Sequence, residues 1–220
     1  MDMKIPVIIN NRDLYSWPKR MLEKIKNLKS VGDIIIIDNE STYEPLLDWY
    51  ETKPCEVIKV KNLGHTSPWL SGVVDKLNVP YVVTDSDLDI DNIPLDTLEY
   101  LDFILSIFSD KGKIGLAMDW ERVTPNLEYY SHMRNLYYPV YTGEPIFPNV
   151  YNFSIDTTFA LYNRKEYFIG GYSVYGDYKA GHLPWYLSKQ DRENNEEFKY
   201  YLNMSDNSCS YKKFIKENAI

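Results

Sequence analysis

Four short apolar runs, each followed by polar residues, set the rhythm of the first half of the chain. Residues 5–9, 34–37 and 81–84 are apolar or β-branched, 57–60 is so except for Lys59, and all four are of strand length. Between the first two, Trp17, Met21, Leu22, Ile25 and Leu28 recur at helical spacing. Pro18 sits in the first turn of that helix, where its missing N–H does no harm. Gly32 is expected to break the pattern before the second strand, and residues 43–50 read as a second helix. Ser67-Pro68 opens a third, carried by Trp69, Leu70, Val73, Val74 and Leu77. After Pro94, a helix marked by Leu98, Leu101, Ile104, Leu105 and Phe108 leads to a strand over 114–118. Strands alternating with helices in this way predict a three-layer α/β/α fold around a mostly parallel central sheet.

Beyond residue 118 the pattern loosens. Residues 119–151 are rich in Tyr and Pro and read as a long functional loop region. A late strand at 159–162 follows Asp156-Thr157-Thr158. Gly170-Gly171 comes next, and then the segment 180–186, which has little helical or strand character. The tail from Glu193 is charged and ends in a helix predicted over 211–217. With no repeat, low-complexity segment or linker, the 220 residues read as a single domain. Residues 1–95 would form a nucleotide-binding half and 96–220 an acceptor-binding half with a closing segment.

In a parallel sheet of this kind the polar loops at the strand carboxyl ends converge on one crevice, where such sheets bind ligands. Here they are 10–12, 38–41, 62–65 and 85–87. The last opens Y-V-V-T-D-S-D-L-D-I-D, an apolar strand running into Asp85, Asp87, Asp89 and Asp91 at alternate positions. Two carboxylates projecting together repel unless a cation or a hydrogen-bond network offsets them. A hard divalent ion, Mg²⁺ or Mn²⁺, suits oxygen ligands of this type. Taken alone, the run is equally an acidic turn leading into Pro94. It is no EF-hand loop, lacking Gly at its sixth position and Glu at its twelfth. Asp89 and Asp91 read as solvated, or as capping the next segment.

Composition narrows the partners. With 24 basic and 32 acidic residues the net charge is −8, which argues against nucleic acid. A metal would still let an acidic protein hold a phosphorylated ligand. Cys55 and Cys209 form neither a metal-type pair nor a disulfide framework, so a reducing compartment is the default. No leader pattern and no apolar run of membrane-spanning length is evident, and the expectation is a soluble cytoplasmic protein. The 20 tyrosines and 5 tryptophans offer faces that suit sugar rings as well as cores.

In order, I-I-N-N-R, I-I-I-I-D-N-E-S, N-L-G-H and V-V-T-D-S-D resemble the GT-A glycosyltransferases, most nearly the family 2-like ones, over roughly residues 4–190. The segments I-D-T-T-F-A-L-Y and H-L-P-W-Y are similar to those of short bacterial and viral members. The resemblance implies a metal-dependent enzyme that moves a sugar from a nucleoside diphosphate, expected to be UDP, to a hydroxyl of a glycan. Asp85-Ser86-Asp87 would be its Asp-X-Asp motif, with Asp87 on the metal and Asp85 bridging to metal or ribose. Asp38 would accept from the nucleobase, framed by Asn11 and Arg12, and Asn62 and Gly64 would let the backbone approach the nucleotide.

His182 would complete the metal shell or donate to the diphosphate, and Trp185 would stack on sugar or pack the loop. Asp156 would be the general base of an inverting transfer, with Asp177 and Asp119 as rivals. The chain departs from the usual pattern in two places. The N-x-G segment continues as H-T-S-P-W-L-S-G without the common arginine, and the usual Glu-Asp pair is missing. Two other classes remain open from the residues: a nucleotidyltransferase making nucleotide sugars, against which the loop N-N-R-D-L-Y lacks Gly-rich character, and a non-catalytic sugar-binding module.

Overall fold

The computed structural model describes residues 4–78, 80–155, 158–205 and 212. Strand β1 (Ile5–Asn11) leads into helix α1 (Ser16–Ile25), which buries Met21, Leu22 and Ile25 of the stripe read from the sequence together with Pro18, while Trp17 is only half-buried. Strand β2 (Val31–Asn39), helix α2 (Glu44–Glu51) and strand β3 (Glu56–Val60) follow. β2 begins at Val31, earlier than the apolar run 34–37, so Gly32 lies within the strand, where a side-chain carbon would meet the Ile5 backbone at 3.1 Å. The third predicted helix is cut short. Helix α3 (Ser67–Leu70) stops one turn in, because Gly72 takes a left-handed φ of 73°.

Strand β4 (Tyr81–Asp85) is followed at once by a two-residue strand, β5 (Leu88–Asp89), and then by helix α4 (Thr97–Ile107) and strand β6 (Lys113–Met118). The region expected to be a long loop contains helix α5 (Tyr130–Tyr141) and strand β7 (Val150–Tyr151). Its tyrosines and Pro139 hide the helical signal, and the helix is held by burying Met133, Tyr137 and Tyr141. Strands β8 (Ala160–Tyr162) and β9 (Tyr172–His182) precede helices α6 (Lys189–Asn194) and α7 (Glu196–Met204). The segment 180–186, read as irregular, is therefore the end of β9 followed by a 3-10 turn over Leu183–Tyr186. Apart from Lys212, the helix predicted over 211–217 lies outside the described residues.

The strands form one sheet in the order β3-β2-β1-β4-β8-β6-β9-β5, with β7 also on β9. β3, β2, β1 and β4 are mutually parallel; β8 runs against both β4 and β6, so β6 shares the direction of β4, and β9 is parallel to β6. The mostly parallel expectation holds, with β8 and the short β5 and β7 running the other way. One apolar layer joins Leu22, Ile36, Val82, Leu101 and Leu161, and a second on the opposite face joins Ile8, Ile37, Val83 and Tyr162. A sheet buried on both faces leaves its polar residues at the strand ends, which is where the candidate chemistry lies.

Candidate active site

The loops after β1, β2 and β3 are tied to one another by side chains that carry no distinctive signal in the sequence. Asn39 is buried at the end of β2. Its Nδ2 donates to Asn10 Oδ1 at 2.6 Å, and its Oδ1 accepts from Leu63 N–H at 3.2 Å and from the Ser67 hydroxyl. Asp13 is wholly buried with φ at 51°. Its Oδ1 accepts the N–H groups of Thr42 (2.6 Å) and Tyr43 (3.0 Å), while its own N–H donates to Ser41 Oγ at 2.9 Å. Glu40 is also left-handed, at φ 58°. Two strained non-glycine residues at neighbouring strand ends are the kind of backbone that persists where the surroundings over-determine it.

Asp38 lies under this web. Its Oδ1 accepts Ser41 N–H at 3.0 Å, and Oδ2 receives no hydrogen bond of normal geometry among the described residues. The Tyr50 phenol is pushed to a high pKa by burial and by the Asp38 charge. Asn11 is buried, donating to Leu14 O (2.9 Å) and Tyr50 Oη (3.0 Å), so its amide braces the loop. Arg12 reaches the Met204 carbonyl of α7 at 3.0 Å and lies 3.6 Å from the Asp13 carboxylate. Asn62 accepts Gly64 N–H at 3.1 Å. Gly64 itself has φ 67° with open space where a side chain would stand, as close backbone approach by a ligand requires.

At the other end of the crevice, Asp85 closes β4 opposite Asn10 of β1. The chain turns at the buried Ser86 and Asp87 into β5, which pairs antiparallel with the end of β9, Leu88 opposite His182 and Asp89 opposite Gly181. Leu183 N–H donates to Asp87 O at 3.0 Å. This pairing carries His182 to Asp87, Nε2 to Oδ1 at 3.6 Å. Trp185 is buried with its ring centre 4.5 Å from the imidazole and 6.0 Å from Tyr137, so it packs the site and orients His182. Burial pushes the Asp87 carboxyl up to about 7. Asp89 is not solvated: it is buried and ion-paired with Arg20 and Arg122, and its Oδ1 also accepts the Asp91 N–H that opens the next turn, while the more exposed Asp91 pairs with Arg20.

Among the described residues no three His, Cys, Asp or Glu side chains come together as a metal cage, so Asp85 does not join Asp87 and His182 in a closed set. The pair nevertheless fits a hard divalent ion. Such ions at diphosphate sites are held by one or two protein groups and take their remaining oxygens from phosphate and water. A buried carboxyl whose ionisation is opposed by burial gains most from a cation.

Of the candidate bases, Asp156 lies outside the described residues. Asp119 directly follows β6 and is buried, with Oδ1 3.2 Å from Lys179 Nζ, which also pairs with Glu121. Asp177 is exposed on a bulge of β9, where the register with β6 jumps from Val174 to Lys179.

No protein-family model matches the chain, and no curated protein matches it. Solved structures do. Glucosyl-3-phosphoglycerate synthase from Mycobacterium tuberculosis, in complex with phosphoglyceric acid, is 16% identical with a TM-score of 0.46, over 73% of this chain and 56% of that one. A mannosyltransferase from Pyrobaculum calidifontis, in complex with GDP-Man and Mn²⁺, is 13% identical with a TM-score of 0.47, over 75% and 46%. The chain spans about half the length of these proteins. No helix among the described residues is long and apolar enough to cross a membrane.

Proposed function

We propose that the chain is a GT-A glycosyltransferase that uses a divalent metal to move a sugar from a nucleoside diphosphate, a UDP-sugar, to a hydroxyl of a glycan. The observation that carries the reading is the β5–β9 pairing, which sets His182 beside the buried Asp87 at the carboxyl end of β4, in line with the loops of β1 and β2. A carboxylate with an imidazole suits Mn²⁺ better than the oxygen-preferring Mg²⁺. Asp87 and His182 would hold the ion, with Asp85 and Ser86 toward the ribose and diphosphate. When bound, the metal offsets the charge of the leaving diphosphate.

Asp38 would accept a base N–H, with its carboxylate fixed by the Ser41 N–H and by the neighbouring Tyr50 phenol, and Gly64 admits the nucleotide along its backbone. Asn11 and Arg12 act on the nucleoside through the loop they brace, and Trp185 acts by holding the His182 ring. Asp156 takes the proton of the acceptor hydroxyl as the C1–O bond to the diphosphate breaks, inverting the sugar. Calorimetry of UDP binding with Mn²⁺ and then with chelator tests the site. Metal-dependent binding that is lost in Asp87→Ala supports it, and equal binding with chelator, or by Asp87→Ala, refutes the metal role.

A further inference from the structure

The acidic run divides sharply between Asp87 and Asp89. The Asp89 side chain is 4% exposed; its Oδ2 accepts from Arg122 Nη1 at 2.9 Å, and its Oδ1 from Asp91 N–H at 3.1 Å and from Arg20 Nη2 at 3.4 Å. Burial acts to raise its pKa, but the Asp91 N–H and the two guanidiniums outweigh that and hold it below the usual carboxylate value. Arg122 stands in the turn after β6 and reaches across to β5, its guanidinium 4.5 Å from the Tyr186 ring centre. Tyr186 donates its hydroxyl to Asp119 O at 2.8 Å. Its ring closes on Gly181, where a side-chain carbon would meet Tyr186 Oη at 2.6 Å and Arg122 Nη1 at 3.1 Å.

Gly181 is the residue opposite Asp89, and the next pair, His182 opposite Leu88, adjoins Asp87. A ladder of two residue pairs is a weak fixture for a catalytic geometry. The Asp89–Arg122–Tyr186 clamp grips that ladder from the side. We infer that Arg122, acting through Asp89, is a positioning residue that sets the spacing of Asp87 and His182 for a divalent cation; this rests on the metal reading above. Groups that orient ligands from behind typically cost 10–100-fold in metal affinity when removed.

The test is Mn²⁺ binding in the presence of UDP, followed by the electron paramagnetic resonance signal of free Mn²⁺, on wild type, Arg122→Ala, Arg122→Lys and Arg20→Ala, each well below its own Tm. Arg122→Ala should weaken Mn²⁺ binding about 10–100-fold. Arg122→Lys, which keeps the charge without the fork, should recover part of the loss. Arg20→Ala should lose less than Arg122→Ala, since Arg20 mainly bonds Asp91 and lies further from Asp89. If Arg122→Ala lowers the Tm but binds Mn²⁺ as wild type does, the residue is merely structural and the inference is overturned. If wild type itself takes up no Mn²⁺, the metal reading fails first and takes the inference with it. Should Arg122→Ala not fold, Tyr186→Phe, which deletes the bond to Asp119 and keeps the ring, serves instead: a severalfold loss of Mn²⁺ affinity supports the clamp, and unchanged affinity overturns it.

Discussion

Asp87→Asn should stabilise the metal-free protein, and the gain should grow with pH. The Asp87 carboxyl titrates near 7 in the folded chain against 3.8 as a free side chain, because burial opposes its ionisation. The sign follows from linkage. Below the unfolded pKa both states are protonated and the group costs nothing. As pH rises from 3.8 through 7 the unfolded chain releases the proton more readily, so folding loses stability, and above 7 the loss is constant. At pH 8 the full shift amounts to roughly 4 kcal/mol, of which about 2–3 kcal/mol develops between pH 5 and 8. For a chain of this size each 1 kcal/mol moves the Tm by about 2–4 °C.

The assay is thermal unfolding of wild type and Asp87→Asn in chelator from pH 5 to 8, with Mn²⁺ added in a second series. The gap in Tm should widen in favour of Asn as pH rises, and Mn²⁺ should raise the wild-type Tm while leaving the variant where it was. Asp89→Asn is the mirror image. Its folded pKa is depressed, so it stabilises at neutral pH and loses that as pH falls through the folded pKa. The substitution should cost about 1–2 kcal/mol at pH 7. The same change two residues apart is thus expected to have opposite signs. A gap between wild type and Asp87→Asn that stays flat with pH, or an Asn variant less stable at pH 8, would refute the reasoning.

Three further outcomes are expected. Asp13→Ala leaves the Thr42 and Tyr43 N–H groups without their acceptor and should cost about 2 kcal/mol in urea unfolding; Asp13→Asn, which keeps the acceptor and tolerates φ 51°, should cost less than half of that. Lys113 is fully buried with Nζ donating to Ile155 O and Phe168 O, so Lys113→Met strands two carbonyls and should destabilise by roughly 2–4 kcal/mol at unchanged m-value. Asp156→Asn should lower kcat about 10²–10⁴-fold with UDP binding intact, and a loss of that size in Asp119→Asn instead would transfer the base to the end of β6.

The parallel half of the fold was legible because its signals are local. Residues 34–37 are apolar throughout since β2 is covered on both faces, and the α1 stripe at Met21, Leu22 and Ile25 points one way. Within the candidate site the local signal is strongest at β4, which Asp85 ends and Asp87 follows. His182 meets Asp87 through β5, a strand too short to leave a periodic trace. By spacing alone the four alternate aspartates are equivalent, and only the resemblance singles out Asp85 and Asp87. What separates Asp89 from Asp87 is Arg20 on α1 and Arg122 after β6, both distant in sequence. Helix α5 leaves little trace in the sequence because two of its three buried residues are tyrosines, which carry weak helix preference, and because Pro139 stands inside it.

The two ends of the crevice are prepared to different degrees. Around the proposed nucleobase site, Asn39 and Asp13 already bind three loops together, and the left-handed backbones of Asp13 and Glu40 are strain accepted in the free protein. Binding there should need little rearrangement and bring little added stability. At the proposed metal end, Asp87 is held buried beside His182 at a cost that a cation would remove. The clamp on Asp89 keeps that cost from being relieved by the turn swinging outward. Ligand-linked stability should therefore come mainly from the ion: uridine alone would shift the Tm little, Mn²⁺ with UDP by far more, and the difference between them should disappear in Asp87→Asn.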